Sequence, residues 1–246
     1  MRPSAARPAR WGRSWRPAPL QPATRGNYAI PDDEGAPTGD DVGALIGWYL
    51  SRDRAPRLEY VTDAAPAVEP ALLAAGLGVD GRLPLMTFEA TRAGRPPEPV
   101  GVELVVPESD DGPLAMMLVQ AEAYGSPAPA VEEVPDRRAA LDRGAVAVVA
   151  RDATGTVVGA GCCSPVVDGH AEAAATGVAV SHRRRGIAQA LAHRLAWEAI
   201  ERGAEVPLLM AADKAERRIY ERSGLTSVGE ILHISRWLWP LRLPSL

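Results

Sequence analysis

The segment Thr176-Gly-Val-Ala-Val-Ser-His-Arg-Arg-Arg-Gly-Ile-Ala188 leaves this chain few ways to fold. Its first half has the apolar character of a strand, and Ile187, Leu191, Leu195 and Ala199 repeat as one stripe of a helix. Between them stands a turn containing Arg183, Arg184, Arg185 and Gly186. A helix leaves its first N–H groups without intrahelical acceptors and carries roughly half a positive charge at that end, so a phosphate can settle there with little reorganisation. Gly186 lets a ligand approach the backbone where a Cβ would collide, and the three arginines add a short-range positive field. Arg-x-x-Gly-x-Ala alone is a weak pattern. Its position between a strand and an amphipathic helix makes it a candidate anion site.

The surrounding pattern is α+β. Alternating or apolar runs predict strands at Val100–Pro107, Ala145–Arg151, Val157–Val167 and Ala171–Val180, with helices at Pro113–Tyr124 and Val134–Arg143. Beyond the basic turn come a helix to Arg202, a strand at Val206–Ala211, a helix at Asp213–Ser223, and strands at Thr226–Leu232 and His233–Leu241. Upstream, helix, strand, helix and strand are expected at Val42–Ser51, Arg57–Val61, Pro66–Ala75 and Gly81–Glu89. The proline- and glycine-rich stretch Ala93–Pro99 reads as a boundary between two domains. Residues 1–37 hold Arg2, Arg7, Arg10, Arg13, Arg16 and Arg25 among prolines and alanines, and are expected to form a disordered tail.

At this point the sequence resembles the GNAT superfamily of coenzyme A-dependent N-acyltransferases. Val178-Ala-Val180 followed by Arg183-x-x-Gly186-x-Ala188 is similar to its pyrophosphate-loop motif, and Ile219-Tyr-Glu-Arg-Ser-Gly-Leu225 to its later Leu-Tyr-Glu-x-x-Gly-Phe motif. The pair, at the family's usual separation, is far more specific than either motif. The resemblance implies a mixed, mostly antiparallel sheet flanked by helices over 100–241, with acetyl-CoA as co-substrate. It implies that the backbone of Gly177, Val178, Ala179 and Val180 contacts the pantetheine arm. The turn and helix start, Arg183, Arg184, Arg185, Gly186, Ile187 and Ala188, would hold the pyrophosphate. Tyr220 falls where a family tyrosine assists departure of the thiol, itself a fair leaving group with a pKa near 8.5. Asp213 stands where relatives carry a cofactor-contacting asparagine; as a carboxylate it suits a helix cap better. Glu172 is the candidate general base, with a water chain as the alternative. The acceptor would be a small amine or a peptide amino terminus.

Residues 38–95 resemble a second, truncated GNAT unit. Thr38-Gly-Asp-Asp-Val-Gly43 is acidic where a phosphate loop should be basic, so this half is expected not to bind the cofactor but to shape the acceptor pocket or mediate dimer contact. The net charge of −4 provides no global basic field for nucleic acid or anionic lipid, and no apolar run approaches the roughly 20 residues of a membrane span. Adjacent Cys162 and Cys163 fit reduced thiols in the cytoplasm, and four histidines with two cysteines form no metal motif. The competing reading is a catalytically inactive coenzyme A-binding module.

Overall fold

The computed structural model describes residues 15–17, 28–93, 99–107 and 112–236. In chain order the elements are β1 (Trp15–Pro17), β2 (Ala29–Pro31), α1 (Gly39–Leu50), β3 (Arg57–Val61), α2 (Val68–Ala74), β4 (Gly78–Phe88) and α3 (Ala90–Ala93). They continue as β5 (Val102–Val105), α4 (Gly112–Tyr124), α5 (Val134–Asp142), β6 (Val146–Asp152), β7 (Val157–Cys163) and β8 (His170–Val178). The last are α6 (Ile187–Glu201), β9 (Val206–Met210), α7 (Lys214–Glu221) and β10 (Leu225–Ser235). Two compact units result: residues 1–83 with 229–246, and residues 84–228.

In the first unit α1 forms because Thr38 and Asp41 close a reciprocal capping box and Val42, Leu45, Ile46 and Tyr49 recur on one buried face. The acidic segment Thr38–Gly43 is thus a helix start, and Asp41 is held below the usual carboxylate range by the hydrogen bonds from Thr38. The buried side chains of α1 pack with Leu58 and Tyr60 of β3, Val68 and Leu72 of α2, and Leu232 and Ile234 of β10. Strand β3 pairs antiparallel with β10, matching Tyr60 to Leu232 and Glu59 to His233.

Two sequence expectations change here. Thr226–Leu232 and His233–Leu241 were expected as separate strands. Leu225–Ser235 is one strand, since no turn residue stands between Leu232 and His233 and the pairing with β3 runs through both; residues 237–241 lie outside the described residues. Within the segment expected to be disordered, Trp15–Pro17 pairs antiparallel with Ala29–Pro31, and buried Ala29 is registered against Leu58. The rest of residues 1–27 lies outside the described residues.

Burial makes this unit sensitive to alkali. Burial pushes the Tyr60 hydroxyl up to about 12, helped by the Glu69 charge and opposed by Arg82. A phenol whose folded pKa exceeds its unfolded value stabilises fully below the unfolded value, and that stabilisation is lost as pH rises from about 10 towards 12. Lys214 is the only lysine, so ammonium titration scarcely masks the effect. The urea midpoint should fall as pH rises above about 10, and Tyr60→Phe should fall less steeply there. Parallel curves for the two proteins would contradict this account.

The second unit is a mixed sheet in the order β4-β9-β8-β7-β6-β5, with β8 and β9 parallel and the other neighbours antiparallel. Val146–Ala150 of β6 are all buried, as expected of a strand covered on both faces. Ile187, Leu191, Leu195 and Ala199 of α6 are buried in this core, as are Met116 and Val119 of α4. Strand β7 stops at Cys163, short of the expected Val167, because Pro165 and the positive-φ pair Asp168 and Gly169 turn the chain.

No helix among the described residues is long and apolar enough to cross a membrane.

Candidate active site

Strands β8 and β9 separate partway along their length. They pair only over His170–Glu172 with Val206–Leu208, so the edge of β8 beyond Glu172 is not continued by β9. On its other side β8 follows β7, matching Ala174 to Cys162 and Gly177 to Ala160. Ala175 and Thr176 therefore face Gly161 together, which is a β-bulge, and Ala175 takes φ 53°. A left-handed non-glycine backbone costs roughly 1–2 kcal/mol and persists only where its surroundings impose it. Helix α4 imposes it. Gln120 Nε2 donates to the Ala175 carbonyl at 2.7 Å, and the Tyr124 hydroxyl donates to the Thr176 carbonyl at 3.0 Å. Gln120 is only 6% exposed, so its bond to the bulge is largely shielded from water.

Past the bulge the Ala179 amide donates to the Val158 carbonyl of β7 at 2.9 Å. Amides alternate along an extended strand, so those of Val178 and Val180 face the other, open side. The Val180 amide donates there to Glu122 Oε1 at 3.0 Å. The chain then makes a 3₁₀ turn at Val180–His182. Arg183 is tied down, its Nε donating to the Val178 carbonyl at 3.2 Å and its terminal nitrogen to the Ala123 carbonyl at 2.8 Å. Arg184 (φ 63°) and Arg185 stay exposed. Gly186 caps α6 in the left-handed region (φ 79°, ψ 2°) with no side-chain cap, and nothing lies within 4 Å of where a Cβ would sit. The α6 start at Ile187 and Ala188 thus presents its first amides beside two exposed guanidinium groups and open space. These features fit a diphosphate.

Helix α7 supplies the third component. Asp213 Oδ1 accepts from the Ala215 and Glu216 amides, both at 2.8 Å, so this carboxylate caps the helix. Glu216 accepts from the Ala212 amide and, at 3.1 Å, from the Tyr220 hydroxyl. Tyr220 is 5% exposed. Burial holds its hydroxyl protonated far above the usual phenol range, reinforced by the charge of Glu216 and the bond to it, and by Tyr124, while Thr176 acts in the opposite sense. Tyr220 thus shares a corner with Thr176 and Tyr124 at the bulge.

Glu172 is not brought to this corner. It lies four residues before Thr176, on the part of β8 that pairs with β9. There its amide donates to Ser164 Oγ at 3.0 Å and its carbonyl accepts from the Ser164 amide at 2.9 Å. Burial raises both thiols, Cys163 to about 12, as expected of inert cysteines. Among the described residues no cluster of His, Cys, Asp and Glu could hold a metal ion.

Sequence reasoning missed Gln120, Glu122 and Tyr124. They reach the site across more than 50 residues of sequence, and the only local signal was polarity beside the apolar face of a helix.

Residues 115–225 match the profile of the acetyltransferase (GNAT) family. Among solved structures, the chain is similar to a GCN5-related N-acetyltransferase from Kribbella flavida, with 23% identity, TM-score 0.75, and coverage of 93% of this chain and 91% of that one. A functionally unknown conserved protein from Staphylococcus epidermidis aligns with TM-score 0.64 at 16% identity, covering 94% and 93%. A tandem GNAT protein from the clavulanic acid biosynthesis pathway aligns with TM-score 0.59 at 16% identity, covering 90% and 77%. No curated protein matches the sequence.

Proposed function

We propose, from the premise that residues 115–225 form a domain of the acetyltransferase (GNAT) family, that this acyltransferase moves an acetyl group from acetyl-CoA to a primary amine by direct attack on the thioester. The observation that carries this reading is the juxtaposition of an open, bulged β8 edge with the side-chain-uncapped start of α6. Acetyl-CoA supplies the activated acyl group and a thiol leaving group. The amides of Gly186, Ile187 and Ala188, with Arg184 and Arg185, hold its diphosphate. Arg183 and Asp213 support the loop and α7 through backbone bonds. The outward amide of Val178 takes charge developing on the acyl oxygen, in a site that needs no reorganisation to do so.

Tyr220 delivers a proton to the departing sulfur. Its hydroxyl hydrogen rests on Glu216 and reaches another acceptor by rotation about one C–O bond. Because burial and Glu216 keep it protonated, it serves as donor throughout the neutral and mildly alkaline range. The first unit we read as a degenerate GNAT-like half that does not bind the cofactor.

Calorimetry with acetyl-CoA, followed by thiol release in the presence of pooled amines, tests the function. Tyr220→Phe should lower kcat by roughly 10–100-fold, at or below the usual range for a positioned proton donor because a thiol leaves readily. Acetyl-CoA affinity should stay within about threefold, since the ring and its packing remain. Equal rates would remove Tyr220 from the mechanism. Tight donor binding without turnover on any amine would favour the inactive coenzyme A-binding module.

A further inference from the structure

Beyond Glu172 the outer edge of β8 is not continued by β9, and two side chains lie along it instead. The Val178 carbonyl, which faces the same side as the Val178 amide, accepts from Arg183 Nε at 3.2 Å. The Val180 amide donates to Glu122 Oε1 at 3.0 Å. A bare strand edge is a template for pairing with another chain, and charged side chains are a common means of blunting it.

The two contacts differ in what they leave available. A backbone carbonyl has two lone pairs, so that of Val178 can accept a second bond beside Arg183. A backbone amide has one hydrogen, and at Val180 Glu122 holds it.

On the acetyl-transfer reading above, which this inference presupposes, the diphosphate sits on Gly186, Ile187 and Ala188 and the acyl oxygen meets the Val178 amide. Val180 lies between those points along the chain. The arm that joins diphosphate to thioester carries amide groups, the natural partners of an open strand edge. We infer that Glu122 is a built-in competitor for that arm: the Glu122 carboxylate and acetyl-CoA compete for the same Val180 N–H, and the cofactor seats fully only when Glu122 lets go.

Release needs a side-chain rotation alone. Gln120 and Tyr124 hold the Ala175 and Thr176 carbonyls, and Arg183 holds that of Ala123, so α4 stays against the bulge while the exposed Glu122 turns away. Gln120, largely shielded from water, is a permanent part of this frame. Glu122 makes its bond in water, where a hydrogen bond has only a small net worth. The contact therefore weakens acetyl-CoA binding by a factor set by the fraction of molecules in which the Val180 amide is released, without closing the site.

Calorimetry on the full chain tests this with wild type, Glu122→Ala and Glu122→Gln. Acetyl-CoA is compared with adenosine 3′,5′-diphosphate, a phosphate-bearing fragment of it that lacks the arm, in about 0.3 M salt, where the fields of exposed charges are screened beyond a few ångströms. Glu122→Ala frees the Val180 amide and should bind acetyl-CoA roughly 3–10-fold tighter, the factor to which one water-exposed hydrogen bond converts. Glu122→Gln keeps an oxygen for the amide without the charge, and should fall between alanine and wild type. All three proteins should bind adenosine 3′,5′-diphosphate alike, and their melting temperatures should agree, because Glu122 is exposed. An acetyl-CoA affinity in Glu122→Ala equal to or weaker than that of wild type would overturn the competition. Equal gains for both ligands would overturn it too, since they would reduce Glu122 to a repelling charge. In either case acetyl-CoA binding by wild type stands. Wild type that fails to bind acetyl-CoA would overturn the acetyltransferase reading and the competition with it.

Discussion

Gly177→Ala is expected to destabilise the second unit by about 3 kcal/mol, lowering its melting temperature by about 6–12 °C, and to remove most acetyl transfer. A Cβ on Gly177 would sit 2.9 Å from Ala123 Cβ and 3.3 Å from Gln120 Cα, and neither is the end of a flexible side chain. Helix α4 must therefore lift from β8. Doing so stretches three bonds at once: Gln120 to the Ala175 carbonyl, Tyr124 to the Thr176 carbonyl, and Arg183 to the Ala123 carbonyl. Each is worth about 1 kcal/mol when made, and more when a buried carbonyl is left alone. Thermal unfolding and thiol release measure the two effects. Adding Ala123→Gly removes the closest contact and should restore part of both, less about 1 kcal/mol for glycine within a helix. If Gly177→Ala melts and turns over like wild type, α4 does not hold the bulge.

Replacing Arg184 and Arg185 together by glutamate should weaken acetyl-CoA binding by at least roughly 100-fold. A hydrogen bond to a charged group contributes about 1.5–3 kcal/mol, and each 1.4 kcal/mol is tenfold, so losing two cations and gaining two anions beside a diphosphate exceeds that mark. Both side chains are exposed, so the melting temperature should barely change. Wild-type affinity should weaken with added salt, because these charges face solvent, and the variant should lose that dependence. Arg183→Gln makes the contrast, since Arg183 fastens the loop to Val178 and Ala123 and its loss should show as stability as well as affinity. Calorimetry at two salt concentrations decides the matter, and unchanged affinity in the double variant would remove the turn from the binding site.

Much of this was legible in the residue order, because it depends on neighbours. The α6 stripe, the glycine at its start, the Asp213 cap and the strand-turn-helix form of 176–188 are local matters, and the structure holds them within a residue or two of their expected places. Strand β10 was misdivided because only its pairing with β3, more than 160 residues earlier, shows that it runs unbroken through His233.

The charged and polar groups around the site were a different matter. Glu172 looked like the acidic residue nearest the motif because it is near in sequence, yet an extended strand carries a residue away at about 3.3 Å per step. Glu122 lies far off in sequence and reaches the Val180 amide directly. Residue order determined the elements, their caps and the anion-binding turn, since hydrogen bonding within a helix turn and side-chain periodicity act over a few residues. Tertiary structure alone decided where β8 and β9 part, which helix locks the bulge, and which carboxylate stands at the open edge, since those depend on packing between segments that share no local geometry.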